Sequence, residues 1–278
     1  MNYGISNAAG QCPPATAAAI LAYARANRVE LLDTASGYGD AESVLGDLLQ
    51  KEDDFRIVTK TVRLRAGEGS EAVRAALRES LRRLRRERVF GVLVHSAADL
   101  AGEAGDSLWG ALEDTRAAGV CEKIGISLYA DADIDALSER FRPDFVQVPL
   151  NVFDQRLVQS GQLARLRRRG IDVHVRSVLL QGLLVMDPLH IPQGLVGAPA
   201  AVARFRAAAS AAGLSPLAAA VAFVRSVPEV SAVVVGTTSV GELAEVVSAF
   251  RLPAAGLGWR QFAQADEVLI DPRKWPKR

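Results

Sequence analysis

Seven short apolar runs, most of them rich in β-branched residues, punctuate the chain. They fall at Val29–Thr34, Arg56–Lys60, Val89–His95, Ile124–Leu128, Phe145–Leu150, Val173–Leu179 and Ala232–Val235. Each has the length of a strand and is bounded by polar or turn-forming residues. Between them apolar positions recur at helical spacing, which predicts helices over Pro14–Asn27, Ala41–Gln50, Ser107–Ala118, Asp133–Phe141, Leu157–Arg169, Ala200–Ala212, Pro216–Val227 and Ser239–Phe250. A further helix is expected after Ser70, its N-cap. There Val73, Leu77, Leu81 and Leu84 form one stripe, while Arg74, Arg78, Arg82 and Arg85 occupy a solvated face. Gly119 and Gly170 stand where helix C-terminal glycines belong.

Strands that alternate with helix-length crossovers imply a parallel sheet covered on its outside. An open doubly wound sheet and a closed barrel both satisfy that pattern. No strand is followed by the G-x-G-x-x-G of a dinucleotide-binding unit. The number of strand–helix units favours a (β/α)8 barrel, formed as a single domain over residues 1–278.

Composition narrows the partners. The 278 residues are 49% hydrophobic and 23% charged, as in a globular chain with a sizeable core. Lys and Arg number 33 against 32 for Asp and Glu, so there is no basic excess of the kind that binds nucleic acid or a membrane surface. Cys12 and Cys121 form no CxxC pair, and the reducing cytoplasm is the expected location. No leader and no uninterrupted apolar stretch of about 18 residues is seen, so neither export nor a membrane span is expected. His95, His174 and His190 lack metal-ligand spacing, and no metal is expected.

Polar residues close three consecutive strand runs: Asp33 the first, Lys60 the second, His95 the third. In a parallel barrel all three would stand at the carboxyl rim, where barrel active sites are built. Each alone has a plain alternative: Asp33 as a turn cap, Lys60 reaching solvent, His95 bonding a carbonyl. Together with Tyr38 they form a coherent chemistry. A phenol, with an ordinary pKa near ~10, exchanges protons poorly near neutrality unless a cation favours its charged form. Lys60 would supply that cation, Asp33 would orient Lys60, and His95 would position a carbonyl oxygen. Such a site suits hydride transfer to a carbonyl.

The segments "DTASGYGDAESVLG", "VTK", "VLVHS", "GIS", "VQVPLNVFDQR" and "QGLL", in this order, resemble the aldo-keto reductase family over nearly the whole chain. The resemblance implies a (β/α)8 barrel that binds an extended nicotinamide cofactor without a Rossmann motif. It places Asp33, Tyr38, Lys60 and His95 in the catalytic tetrad, with Tyr38 as general acid. It also implies that Ser127 and Gln147 hold the nicotinamide carboxamide. Ser177, Leu179 and Gly182 fall where relatives close over the pyrophosphate. "VVVGTTSVGELAEVV" resembles the adenosine-binding strand, loop and helix, with Gly236, Thr237, Thr238, Glu242 and Glu245 beside the cofactor. Glu42 is assigned to the start of its helix through the dipole.

Three departures from the family pattern carry expectations. Leu128 stands where relatives often have a carboxamide-binding Asn. Arg176 replaces the Tyr that stacks on the nicotinamide, and a guanidinium there would repel the oxidised, cationic ring and favour the reduced cofactor. Arg176 with "QGLL" also resembles a bacterial branch found in sugar and polysaccharide pathways, so a small, sugar-derived carbonyl is the expected substrate. Glu242 occupies the position where relatives that prefer NADP place an Arg, which gives NAD(P)H with a weak preference for NAD(H). A non-catalytic subunit or cofactor sensor of the same shape is the alternative, and an intact tetrad speaks against it. Finally, relatives begin with a glycine-rich strand before the equivalent of "YGISN" at Tyr3–Asn7, and only Met1 and Asn2 stand there. With seven strand candidates for eight places, the chain as written is expected to lack the first strand of its barrel, and to be less stable and less active than a longer form.

Overall fold

The computed structural model describes residues 12–50, 53–63 and 69–276. The expectation about the first strand falls on residues 1–11, outside the described residues. Seven strands stand in chain order in one sheet. They are β1 (Leu31–Asp33), β2 (Arg56–Lys60), β3 (Val89–Val94), β4 (Cys121–Ser127), β5 (Phe145–Pro149), β6 (Asp172–Arg176) and β7 (Val230–Val233). The helices are α1 (Pro14–Ala26), α2 (Ala41–Leu48), α3 (Ser70–Leu84), α4 (Gly102–Ala117), α5 (Ile134–Phe141), α6 (Arg156–Gln159), α7 (Gln162–Arg168), α8 (Ala198–Ala211), α9 (Pro216–Arg225), α10 (Val240–Arg251) and α11 (Glu267–Ile270). This alternation of parallel strand and helix is that of the (β/α)8 barrel. No single described helix is long and apolar enough to cross a membrane.

The chain divides into two compact units. The first is made of the described residues within Ala24–Val148 and Leu166–His174. In it β1 to β5 pair in parallel, with Asp33 opposite Val58, Lys60 opposite Leu93, and Ser127 opposite Gln147. Its filling is set by one ring. Phe145 packs with Val58 and Leu93 and fills the space left by two glycines. A Cβ at Gly91 would lie 2.9 Å from the Phe145 ring, and one at Gly125 would lie 2.2 Å from the Phe145 carbonyl oxygen. The His174 ring of β6 lies against the same ring, 4.8 Å between centroids and tilted by 46°. The second unit comprises residues 12–23, Pro149–Arg165 and residues 175–276. Its core includes Phe153, Phe205 and Phe262 in successive edge-to-face contacts, 6.1 and 5.6 Å between centroids.

Local chemistry moves several boundaries. The run at Val173–Leu179 stops being strand at Arg176, because Ser177 adopts a left-handed φ of 59° and turns the chain. The helix expected over Leu157–Arg169 is two, α6 and α7, parted at Gly161 with φ 69°. Ser70 lies inside α3 instead of capping it: Gly69 is the N-cap, and Ser70 Oγ accepts a bond from Arg74. Along α3 Ser80, not Leu81, joins Val73, Leu77 and Leu84 on the buried face. Gly119 and Gly170 follow helix ends at φ 74° and 76°, as expected.

Candidate active site

β1, β2 and β3 end side by side, and each end delivers one polar residue. Lys60 Nζ donates to Asp33 Oδ2 at 2.5 Å and to the Thr34 carbonyl at 2.9 Å, with the Lys60 side chain 1% exposed and that of Asp33 11%. A buried ammonium needs such partners, since desolvation without them costs several kcal/mol. Asp33 Oδ1 accepts from Gln147 Nε2 at 2.7 Å, which ties the pair to the middle of β5. Tyr38, in the loop after β1, holds its ring 5.0 Å from Lys60 Nζ. The His95 ring meets the Tyr38 ring edge-on, 5.9 Å between centroids at 83°. The backbone N–H of His95 donates to Thr61 Oγ1 at 3.2 Å, which fixes the chain just past β3.

Four of the predicted residues are therefore gathered at one rim, and Gln147 joins them directly. Ser127 is the register partner of Gln147 and is buried beside it. The Gln147 amide turns its nitrogen to Asp33 and leaves Oε1 as acceptor, while Ser127 brings a hydroxyl. A primary carboxamide offers both a donor and an acceptor, so this pair of groups fits the carboxamide of a nicotinamide.

The loop that carries Tyr38 is stitched to β2 along its length. The Thr34 N–H donates to the Val58 carbonyl at 2.8 Å, Ser36 Oγ to the Lys60 carbonyl at 3.3 Å, and Thr59 Oγ1 to Glu42 Oε1 at 2.6 Å. Glu42 is wholly buried, and its other oxygen takes Arg83 Nη2 and Nε at 2.6 and 2.9 Å. The expected place at the start of its helix holds, and the carboxylate does more there than face the dipole. It sits in the first turn of α2 and binds across to α3 and β2. Glu42 and Gly46, four residues apart, share the buried face of this short helix, but the sequence does not mark either as buried. Arg83, masked among its Arg neighbours, gave no signal.

His174 is buried beneath this rim, and its Nδ1 has no hydrogen-bond partner among the described residues. Burial, opposed by the charges of Asp172 and Asp33, pushes its pKa down to about 4. The ring is neutral at ordinary pH. Burial likewise pushes the Cys121 thiol up to about 11, so it is no nucleophile.

In the second unit, Arg176 ends β6 half-buried, with Nη1 3.5 Å from Ser177 Oγ. Ser177, Leu180, Gln181 and Gly182 all have positive φ, and Leu179 precedes the turn. Asn151, buried, donates from Nδ2 to the Ser177 carbonyl at 3.1 Å and accepts from the N–H groups of Phe153 and Asp154. That bracing was not expected from the sequence. Gly236, Thr237 and Thr238 lie between β7 and α10. Ser239 caps α10 through the Glu242 N–H at 3.1 Å. The Thr238 N–H donates to Glu242 Oε2 at 2.6 Å, and the Thr238 hydroxyl lies 3.1 Å from the same oxygen. The Thr238 N–H and hydroxyl are thus already turned to Glu242. Glu245, one turn on, is exposed.

The sequence matches the family model described as "Aldo/keto reductase family" over residues 1–268. A comparison with curated proteins gives no match. Among solved structures, the holo form of aldo-keto reductase AKR11C1 from Bacillus halodurans is similar with a TM-score of 0.80 at 19% identity, over 99% of this chain and 98% of that one. The glycerol dehydrogenase AKR11B4 from Gluconobacter oxydans gives 0.72 at 21% identity, over 96% and 89%. At these identities the likeness is one of fold.

Proposed function

We propose, from the premise that this chain belongs to the aldo/keto reductase family, that it works as one domain and reduces an aldehyde or ketone to an alcohol with NAD(P)H, Tyr38 supplying the proton. The observation that carries this reading is the Lys60 ammonium held between Asp33 Oδ2 at 2.5 Å and the Tyr38 ring at 5.0 Å. The cofactor, when bound, supplies the hydride that reaches the carbonyl carbon. Tyr38 gives its hydroxyl proton to the carbonyl oxygen, and the phenolate left behind is stabilised by Lys60 until water restores the proton. Asp33 keeps Lys60 aimed, and His95 orients the carbonyl by a hydrogen bond. Ser127 and Gln147 take the carboxamide. The turn around Ser177, Leu179 and Gly182 takes the pyrophosphate.

Glu242 supports NAD(H) over NADP(H). Its carboxylate holds the Thr238 N–H and lies within reach of its hydroxyl, so a 2′-phosphate there meets negative charge and donors already in use. Gly236, Thr237 and Glu245 line the same adenosine side, and Arg176 favours the reduced form. The glycerol dehydrogenase among the similar structures, with the sugar-pathway resemblance, supports a small polyhydroxylated carbonyl as substrate. Tyr38→Phe tests the assignment: oxidation of NADH by a panel of small aldehydes and ketones is expected to vanish, while cofactor binding, titrated by fluorescence, stays close to wild type. A variant that keeps most of its turnover refutes Tyr38 as the proton donor.

A further inference from the structure

We propose that the buried Glu42–Arg83 ion pair is a positioning device for Tyr38, one that sets the rate of proton delivery without touching cofactor or substrate. The proposal rests on the reading of Tyr38 as the proton donor. Glu42 follows Tyr38 by four residues, and the Tyr38 carbonyl accepts the N–H of Ala41, the first residue of α2, so Tyr38 is tied to the start of that helix. That start lacks the usual tether: Asp40, the N-cap, makes no side-chain capping bond, and Gly39 before it has φ 58°.

What fixes α2 is its inner face. Glu42 binds Arg83 of α3 through two nitrogens and Thr59 of β2, the residue before Lys60. One turn later Gly46 allows the closest approach, since a Cβ there would stand 2.0 Å from the Arg83 carbonyl oxygen. Both contacts converge on Arg83, whose side chain is only 23% exposed. The loop of Tyr38 is thereby spanned between two anchors on one strand. Lys60 grips its beginning at Asp33 and Thr34, and Thr59 grips its end at Glu42. Loosening the second anchor lets the phenol drift from Lys60 while Ser127 and Gln147 stay as they are.

The test compares Glu42→Gln, Arg83→Lys and Thr59→Val in the full chain with Tyr38→Phe and with Phe141→Leu, a core change on α5. Glu42→Gln is expected to lower kcat roughly 10- to 100-fold, the cost of slight misplacement of a reacting group. NADH affinity should stay within about twofold of wild type, and the solvent deuterium isotope effect on kcat should rise as proton transfer becomes limiting. Arg83→Lys, which keeps the charge, should recover part of the rate. Phe141→Leu should lower Tm without changing the isotope effect. The proposal is overturned if Glu42→Gln keeps the wild-type kcat, or if its loss comes with an unchanged isotope effect. Should Glu42→Gln fail to fold, wild-type kcat in both Arg83→Lys and Thr59→Val overturns it, and a lowered kcat with unchanged NADH affinity in either upholds it. Full turnover by Tyr38→Phe would instead remove the underlying reading.

Discussion

Asp33 and Glu242 are both carboxylates beside donors, and they differ in where those donors come from. Asp33 is almost enclosed and draws on Lys60 and Gln147, which lie 27 and 114 residues away on other strands. Glu242, in the first turn of α10, is exposed and takes its bonds from Thr238, four residues back in the loop before that helix. The first arrangement exists only once the strands are in register. The second forms wherever its loop does, and water and salt screen it. Groups that must sit at fixed distances from reacting atoms belong to the first kind. A group that merely repels one of two cofactors can be of the second.

The sharpest way to break the comparison is Lys60→Met, which leaves Asp33 enclosed without its cation. Stability should fall by about 3–5 kcal/mol, the usual result of removing half of a buried pair. Carbonyl reduction should fall beyond detection in steady-state assays, and urea unfolding would measure the first effect. Next is His174. Its pKa is pushed down from 6.5 to about 4, so between those values the unfolded chain binds a proton that the folded chain refuses. The contribution is whole above pH 6.5, declines as pH falls toward 4, and is flat below, amounting to about 3 kcal/mol. The urea midpoint of His174→Leu should lose that part of the acid slope. Third, Gly46→Ala forces a methyl against the backbone of α3 and should cost about 2 kcal/mol, read as a lowered Tm. Smallest is Glu242→Gln. It should alter stability by less than about 0.5 kcal/mol. Its measurable effect should be tighter NADPH binding relative to NADH in paired titrations. A large stability loss there would erase the distinction between the two carboxylates.

What could be read from the sequence follows the same division. β2 was legible to the residue, because Arg56–Lys60 is bounded by polar neighbours and its pattern needs no partner to interpret. The gathering of Asp33, Lys60 and His95 followed from parallel topology alone, which puts every strand end at one rim. β6 was read too long, since nothing in "VRSVLL" announces that Ser177 turns left-handed; Asn151, from another segment, braces that turn. The partners of Glu42 were hidden for a similar reason. A helix-start glutamate looks alike whether it faces solvent or a distant Arg83, and only packing tells which. The bonds of Thr238 to Glu242 are local, yet a capping box would send the Glu242 carboxylate to the N–H of Ser239, the N-cap, and it takes that of Thr238 instead.

Gly91, Gly125 and Phe145 form a constraint that can also be stated as a matter of ancestry. The clash at Gly91 is with the far end of a side chain, so a lineage that first shortens Phe145, for example to Leu, opens a path to alanine at Gly91. The clash at Gly125 is with the Phe145 backbone oxygen, and no change of side chain at 145 relieves it. Two glycines facing the same ring therefore have different evolutionary freedom. One should covary with position 145 among descendants of this sequence, and the other should stay glycine whatever residue occupies 145.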